Sequence, residues 1–257
     1  MDKTFPTPEA RHRVTVAIDD LIAANRILSN EAVIDAFGHI SCRHPERPGH
    51  FLMSRARAPA LVTADDIIEF DAEGTPINAG GRRPYVERFI HAAIYEARPD
   101  IASVVHDHSL EIIPFGLSTV QLRPVSHVGG LIGEQVPVWD IADKFAADCN
   151  LMVVNMEMGR DLAACMGSGQ AVLMRGHGAA AAGSSIRVAT IAAIMLNQQA
   201  RLLRDTISLG GGVIYLSPGE VAATAQIFDD ATPGDAIGRT WEYWCMRAGM
   251  TFHLHGA

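Results

Sequence analysis

The sequence has no CxxC pair. Its four cysteines, Cys42, Cys149, Cys165 and Cys245, are scattered and none falls at zinc-finger spacing, which argues against a disulfide framework. Positive charge is not in excess either. A net charge of −8 argues against a nucleic-acid footprint, although local arginines can still serve an anionic substrate. No apolar run reaches membrane-spanning length, and the opening MDKTFPTPEARHR lacks the apolar core of a signal peptide. Repeats, low-complexity tracts and Pro/Gly-rich linkers are missing too. The expectation is a soluble, reduced, cytoplasmic protein with one domain over residues 1–257 and no membrane partner. With 48% hydrophobic and 19% charged residues, the chain can fill a sizeable core.

What is present reads as interleaved helices and strands. Residues 8–29 form an amphipathic helix opened by Thr7-Pro8-Glu9. HISCR (39–43) and HFLMS (50–54) are short strands, and IIEFDAEGTPI (67–77) is a hairpin. VERFIHAAIYEA (86–97) has helical spacing, and Ile101–Val105 is a buried strand. SLEIIPFGL is a short helix cut by Pro114, VPVWD a strand, and GRDLAACMG a helix closed by Gly167. QAVLMRGHGAAAAG holds two strands around a glycine-rich turn, before a long helix ending at Gly210. The tail GRTWEYWCMRAGM is aromatic and helical. This alternation predicts α/β layering.

Candidate chemistry begins at SVVHDHSLE (103–111). Side chains alternate along a strand, so His106 and His108 face one way and Asp107 the other. Two such imidazoles either share a metal ion or are hydrogen-bonded core histidines. A third imidazole, His177, sits between Gly176 and Gly178, where the backbone can turn sharply. Together His106, His108 and His177 would make a three-histidine site with an open position. Glu87, at the start of the next helix back, reads either as a functional carboxylate or as a complement to the helix dipole.

The segments GHIS (38–41), YVERFIHAAIYEARPDIASVVHDHS (85–109) and LMRGHGAAAAG (173–183) resemble the class II aldolase/adducin family over nearly the whole chain. The resemblance implies a central, mostly antiparallel β-sheet flanked by helices. It also implies a homotetramer or larger homo-oligomer with active sites near subunit interfaces. By the same resemblance, His106, His108 and His177 bind a divalent ion (Zn, Mn, Co or Fe) and Glu87 is the acid/base residue.

The family's sugar-phosphate aldolases carry Gly-Asn-x-Ser and Ser-Ser-Glu loops; here the first is Gly38-His39-Ile40-Ser41 and the second Pro84-Tyr85-Val86-Glu87. Proline removes a donor and the hydroxyl pair is gone, which undercuts a phosphate cradle. In its place stand His39, Ser41, Arg55, Arg57, Arg82 and Arg83, with His127 as a further pocket candidate. Arginine forks suit carboxylates. The altered pattern resembles the metal-dependent decarboxylases of dihydroxyphthalate and hydroxy-methylpyridine-dicarboxylate type, from bacterial aromatic catabolism. It implies a small anionic aromatic or heteroaromatic carboxylate as substrate. Tyr243, in TWEYW, is a candidate to reach a neighbouring subunit's site. Competing readings are an aldolase acting on a hydroxy-oxo acid or sugar phosphate, and a non-catalytic, adducin-like assembly module.

Overall fold

The computed structural model describes residues 7–146, 148–228 and 235–250. Seven strands form one mixed sheet in the order β3-β2-β1-β4-β7-β6-β5, antiparallel except for β5 beside β6. They are β1 (His39–Arg43), β2 (Phe51–Ser54), β3 (Ile67–Phe70), β4 (Ser103–Asp107), β5 (Val138–Trp139), β6 (Ala171–Met174) and β7 (Gly178–Gly183). Strand β4 lies at the centre, between β1 and β7. The register sets His39 opposite His106, and Ala180 opposite His106 on the other side.

Two apolar clusters cover the two faces, because residues along each strand alternate between them. Ile40, Cys42 and Val105 join one cluster, with α1 (Pro8–Asn30) and α5 (Ile186–Ser208). Val104, Val172 and Ala180 join the other, with α2 (Arg88–Ala97) and α4 (Met156–Met166). Leu196 and Leu203 in α5 are fully buried, so truncating either to alanine should cost about 2–5 kcal/mol. Thr7 caps α1, accepting from the Ala10 N–H, and Ser185 caps α5 through the Val188 N–H.

Two local expectations are corrected, and one element is new. The hairpin over 67–77 has one strand only: its return arm reaches back through a single bridge, Phe70 to Pro76, since proline cannot donate to a ladder. Pro114 opens α3 (Ile113–Gly116) rather than cutting a helix, because an early helical position needs no N–H. A helix absent from the sequence reading, α6 (Pro218–Ala225), is closed at its start by a capping box of Ser217 and Glu220. The tail forms α7 (Ala236–Arg247), with Trp241 and Trp244 buried in the first cluster. No helix among the described residues is long and apolar enough to cross a membrane.

Candidate metal centre and active-site cleft

Glu87, His106, His108 and His177 come together from three separate segments, their candidate ligand atoms all within 4.8 Å of one another. Strand β4 ends at Asp107, so His108 lies one residue beyond it. Its Nε2 nevertheless lies 3.0 Å from His106 Nε2 and 2.9 Å from His177 Nε2. His177 reaches this point from a turn pressed against the end of β4. A Cβ on Gly178 would fall 1.8 Å from the Asp107 carbonyl oxygen, so only glycine allows that approach, and Gly176 takes φ +66° to make the turn.

The proton positions on these rings follow from their partners. His106 donates from Nδ1 to the Ala179 carbonyl at 3.0 Å, and His177 donates from Nδ1 to the Leu151 carbonyl at 2.9 Å. In the neutral rings, both Nε2 atoms are then lone pairs, aimed at the same small space. Two converging lone pairs beside His108 Nε2 and the Glu87 carboxylate suit a cation, and carbonyl-anchored imidazoles are how ligating histidines are oriented. The residues therefore fit the divalent ion, and the structure contains a candidate His/Glu metal site.

Glu87 is the residue just before α2, and its carboxylate does not cap that helix. Oε1 accepts from the Val153 N–H at 3.0 Å. Oε2 lies 3.4 Å from His106 Nε2 and 3.5 Å from His177 Nε2. Burial pushes this carboxyl up, but His106 and His177 outweigh it and hold Glu87 well below the usual carboxylate range. Burial lowers His108 to about 4, with its two imidazole neighbours acting in the same direction. Asp107 turns away, as its strand position requires. It accepts from the Ser109 N–H at 3.0 Å, and burial raises it to about 6.

Beside this centre opens a cleft of about 510 Å³, lined by Phe37, His39, Arg57, Tyr85, Glu87, Met152, His108 and His177 among others. His39 is buried, with ring centroids 4.3 Å from Tyr85 and 5.1 Å from His106. Ser41 is not in the cleft wall. It lies beneath His39, bonded to His91 and Tyr95. The arginines divide by partner. Arg55 is held by Asp66 at 2.6 Å, and Arg82 caps the carbonyls of Asp65, Ile67, Asn78 and Ala79. Arg83 is exposed and does not line the cleft. Arg57 does, with Nη1 2.8 Å from Asp66. Burial pushes Asp66 up, but the Thr63 N–H and the two arginines bring it down to about 2. His127 is exposed at the start of a 3-10 turn (His127–Ile132), apart from the cleft. Tyr243 is 51% exposed on α7 and packs near Arg247, again away from this chain's cleft.

Sequence reasoning missed His91, Tyr95, Tyr85, Phe37 and Met152. A signal for the first two exists: His91 and Tyr95 are four apart on a helix, so they share a face. His39 and Ser41 are two apart on a strand, so they share one as well.

The family model described as "Class II Aldolase and Adducin N-terminal domain" matches residues 19–203. "Decarboxylase tropJ" of Talaromyces stipitatus is 32% identical over 252 residues, covering 90% of this chain and 93% of that protein. A "3,4-dihydroxyphthalate decarboxylase" of a Terrabacter species is 28% identical over 235 residues, covering 88% and 94%. Among solved structures, an aldolase II superfamily protein from Pseudomonas syringae superposes with a TM-score of 0.76 at 21% identity, covering 96% and 95%. That likeness concerns the fold.

Proposed function

The chain belongs to the class II aldolase and adducin family, and on that premise we propose that it is a divalent-metal-dependent decarboxylase of a hydroxylated aromatic or heteroaromatic carboxylate. The observation that carries this reading is the make-up of the cleft. A three-histidine, one-glutamate centre opens onto walls of Phe37, Tyr85 and Met152, without a serine hydroxyl pair beside Glu87. Pro84 has no N–H, and the Tyr85 hydroxyl is spent on the Arg57 carbonyl. Relatives named as decarboxylases at 32% and 28% identity support the same reading.

A divalent ion held by His106, His108 and His177 supplies Lewis acidity to the substrate oxygens that gather negative charge. Phe37 and Tyr85 offer flat apolar faces to a planar ring. The Arg57 guanidinium, with one nitrogen committed to Asp66, has other N–H groups for a substrate carboxylate. Glu87 starts as a carboxylate. Val153 fixes Oε1, which leaves Oε2 to accept the proton of the substrate's ring hydroxyl. Glu87 then returns that proton to the ring carbon bearing the carboxylate. The C–C bond breaks, its electron pair enters the ring and ends on the ring oxygen, and CO2 leaves. A solvent proton restores the hydroxyl. Overall, one proton is consumed and one CO2 released.

A homo-oligomer, of four chains or more, is part of this proposal. Phe37 at the cleft and Leu110 beyond His108 are 65% and 82% exposed, which supports burial against another copy. Sedimentation at working concentration tests it.

The test of the activity is CO2 release by metal-loaded protein from a panel of ortho-hydroxylated aromatic and pyridine carboxylates, with chelator-treated protein alongside. Release that needs the metal supports the proposal and identifies the ring. No release from any compound, with metal bound, overturns it in favour of retro-aldol cleavage of a hydroxy-oxo acid, read as pyruvate or aldehyde formed.

A further inference from the structure

Beneath the cleft runs a chain of four buried polar side chains. The Tyr95 hydroxyl lies 2.7 Å from Ser41 Oγ, Ser41 Oγ lies 2.7 Å from His91 Nδ1, and His91 Nε2 lies 2.7 Å from His39 Nδ1. Tyr95 is the most accessible of the four at 7%. Distances alone do not say which atom donates, but counting hydrogens does.

A second N–H on either imidazole would force a donation from His91 Nδ1 to Ser41 and strand a hydroxyl hydrogen, so each ring carries one N–H. Suppose His39 donated from Nδ1. His91 would then donate from its own Nδ1 to Ser41. The serine hydrogen could only turn to Tyr95, stranding the phenol hydrogen, or the phenol could donate to Ser41, stranding the serine hydrogen. Among the described residues neither hydroxyl has another acceptor. A buried donor with no partner keeps its whole desolvation penalty.

The opposite sense strands nothing. Tyr95 donates to Ser41, Ser41 to His91 Nδ1, and His91 Nε2–H to His39 Nδ1. A chain that ends on a hydroxyl with no onward acceptor has only this sense. The one N–H then left over is His39 Nε2–H, on a ring that forms part of the cleft wall.

We propose that His39 is a specificity residue, held as a neutral hydrogen-bond donor whose Nε2–H meets an oxygen of the substrate, and that His91, Ser41 and Tyr95 are positioning residues that lock this tautomer. The decarboxylase reading enters only in naming that oxygen: a carboxylate or ring oxygen of an aromatic acid. A fixed donor selects an acceptor at that point on the ring. A ring amine in the same place would oppose donor to donor, with no way for His39 to adapt.

Neutron diffraction from a deuterium-exchanged crystal of the zinc-loaded protein, with no substrate, reads the hydrogens directly. The expected map has deuterium on Nε2 of His39 and of His91, and none on either Nδ1. Deuterium on His39 Nδ1 overturns the proposal. The positioning role is tested by Ser41→Asp, whose carboxylate accepts from both neighbours. It should draw deuterium to Nδ1 of both rings, with the zinc content unchanged. Rings unchanged from wild type would remove Ser41 from that role. Neither map depends on turnover, so a failed CO2 assay beside the expected map would reject the decarboxylase reading alone.

Discussion

Two groups of histidines meet where β1 lies beside β4, their rings 5.1 Å apart at His39 and His106, and the two groups are built differently. In the group at His106, His108 and His177, the N–H groups of His106 and His177 are turned outward to the Ala179 and Leu151 carbonyls, and their lone pairs meet beside His108 Nε2. In the group at His39 and His91, every hydrogen inside the chain meets a lone pair. The first arrangement gathers acceptors around one small space, which suits a cation. The second is complete within the protein and offers its spare N–H at the cleft. Burial alone does not separate a metal centre from a core histidine network; the direction of the hydrogen bonds does.

The largest effect should come from breaking the first group. His177→Ala or His106→Ala removes one of three imidazole nitrogens. Metal content by elemental analysis should fall below one per chain, and CO2 release should drop by about 10³-fold or more. Glu87→Gln sharpens the contrast within that site. It should keep the metal and still lose about 10²–10⁴-fold in rate, and full activity in this variant would remove Glu87 from its role. Gly178→Ala attacks the scaffold instead. The new Cβ, 1.8 Å from the Asp107 oxygen, must push the His177 turn off β4. Metal affinity, followed by competition with a chelator, should weaken about 10–100-fold.

The smallest effect distinguishes the second group through pH. Burial first, then His106, lowers His91 from 6.5 to about 3. Between those values the unfolded chain holds a proton at this residue and the folded chain does not. Stability therefore falls as pH drops from 6.5, by up to about 1.4 kcal/mol per pH unit from this residue. His91→Gln, measured by urea denaturation at pH 7 and pH 5, should lose less on acidification than wild type. An equal loss would contradict the buried neutral assignment.

Much of the candidate metal centre was legible in the sequence because its signals are local. Alternation along a strand paired His106 with His108, and flanking glycines singled out His177. The arginines were not legible, since what decides them is a distant partner. Arg55 meets Asp66, and Arg82 meets carbonyls as far away as Asp65. The His39–His91–Ser41–Tyr95 chain escaped for the same reason: each half has a readable period, but the sheet–helix contact joining them spans 50 residues or more. At Pro114 and Pro76 the error was one of position, as proline opens one short helix and denies a strand to the other segment.

The central claim is that the three converging imidazoles are there to hold a catalytic ion. Its most direct test is a titration: chelator-stripped protein receives a divalent ion stepwise while CO2 release from 3,4-dihydroxyphthalate, or from the most active compound of the panel, is followed. Activity should rise in proportion to the ion added and level off at one ion per chain. Full CO2 release by the stripped protein, unaffected by added ion, would contradict it.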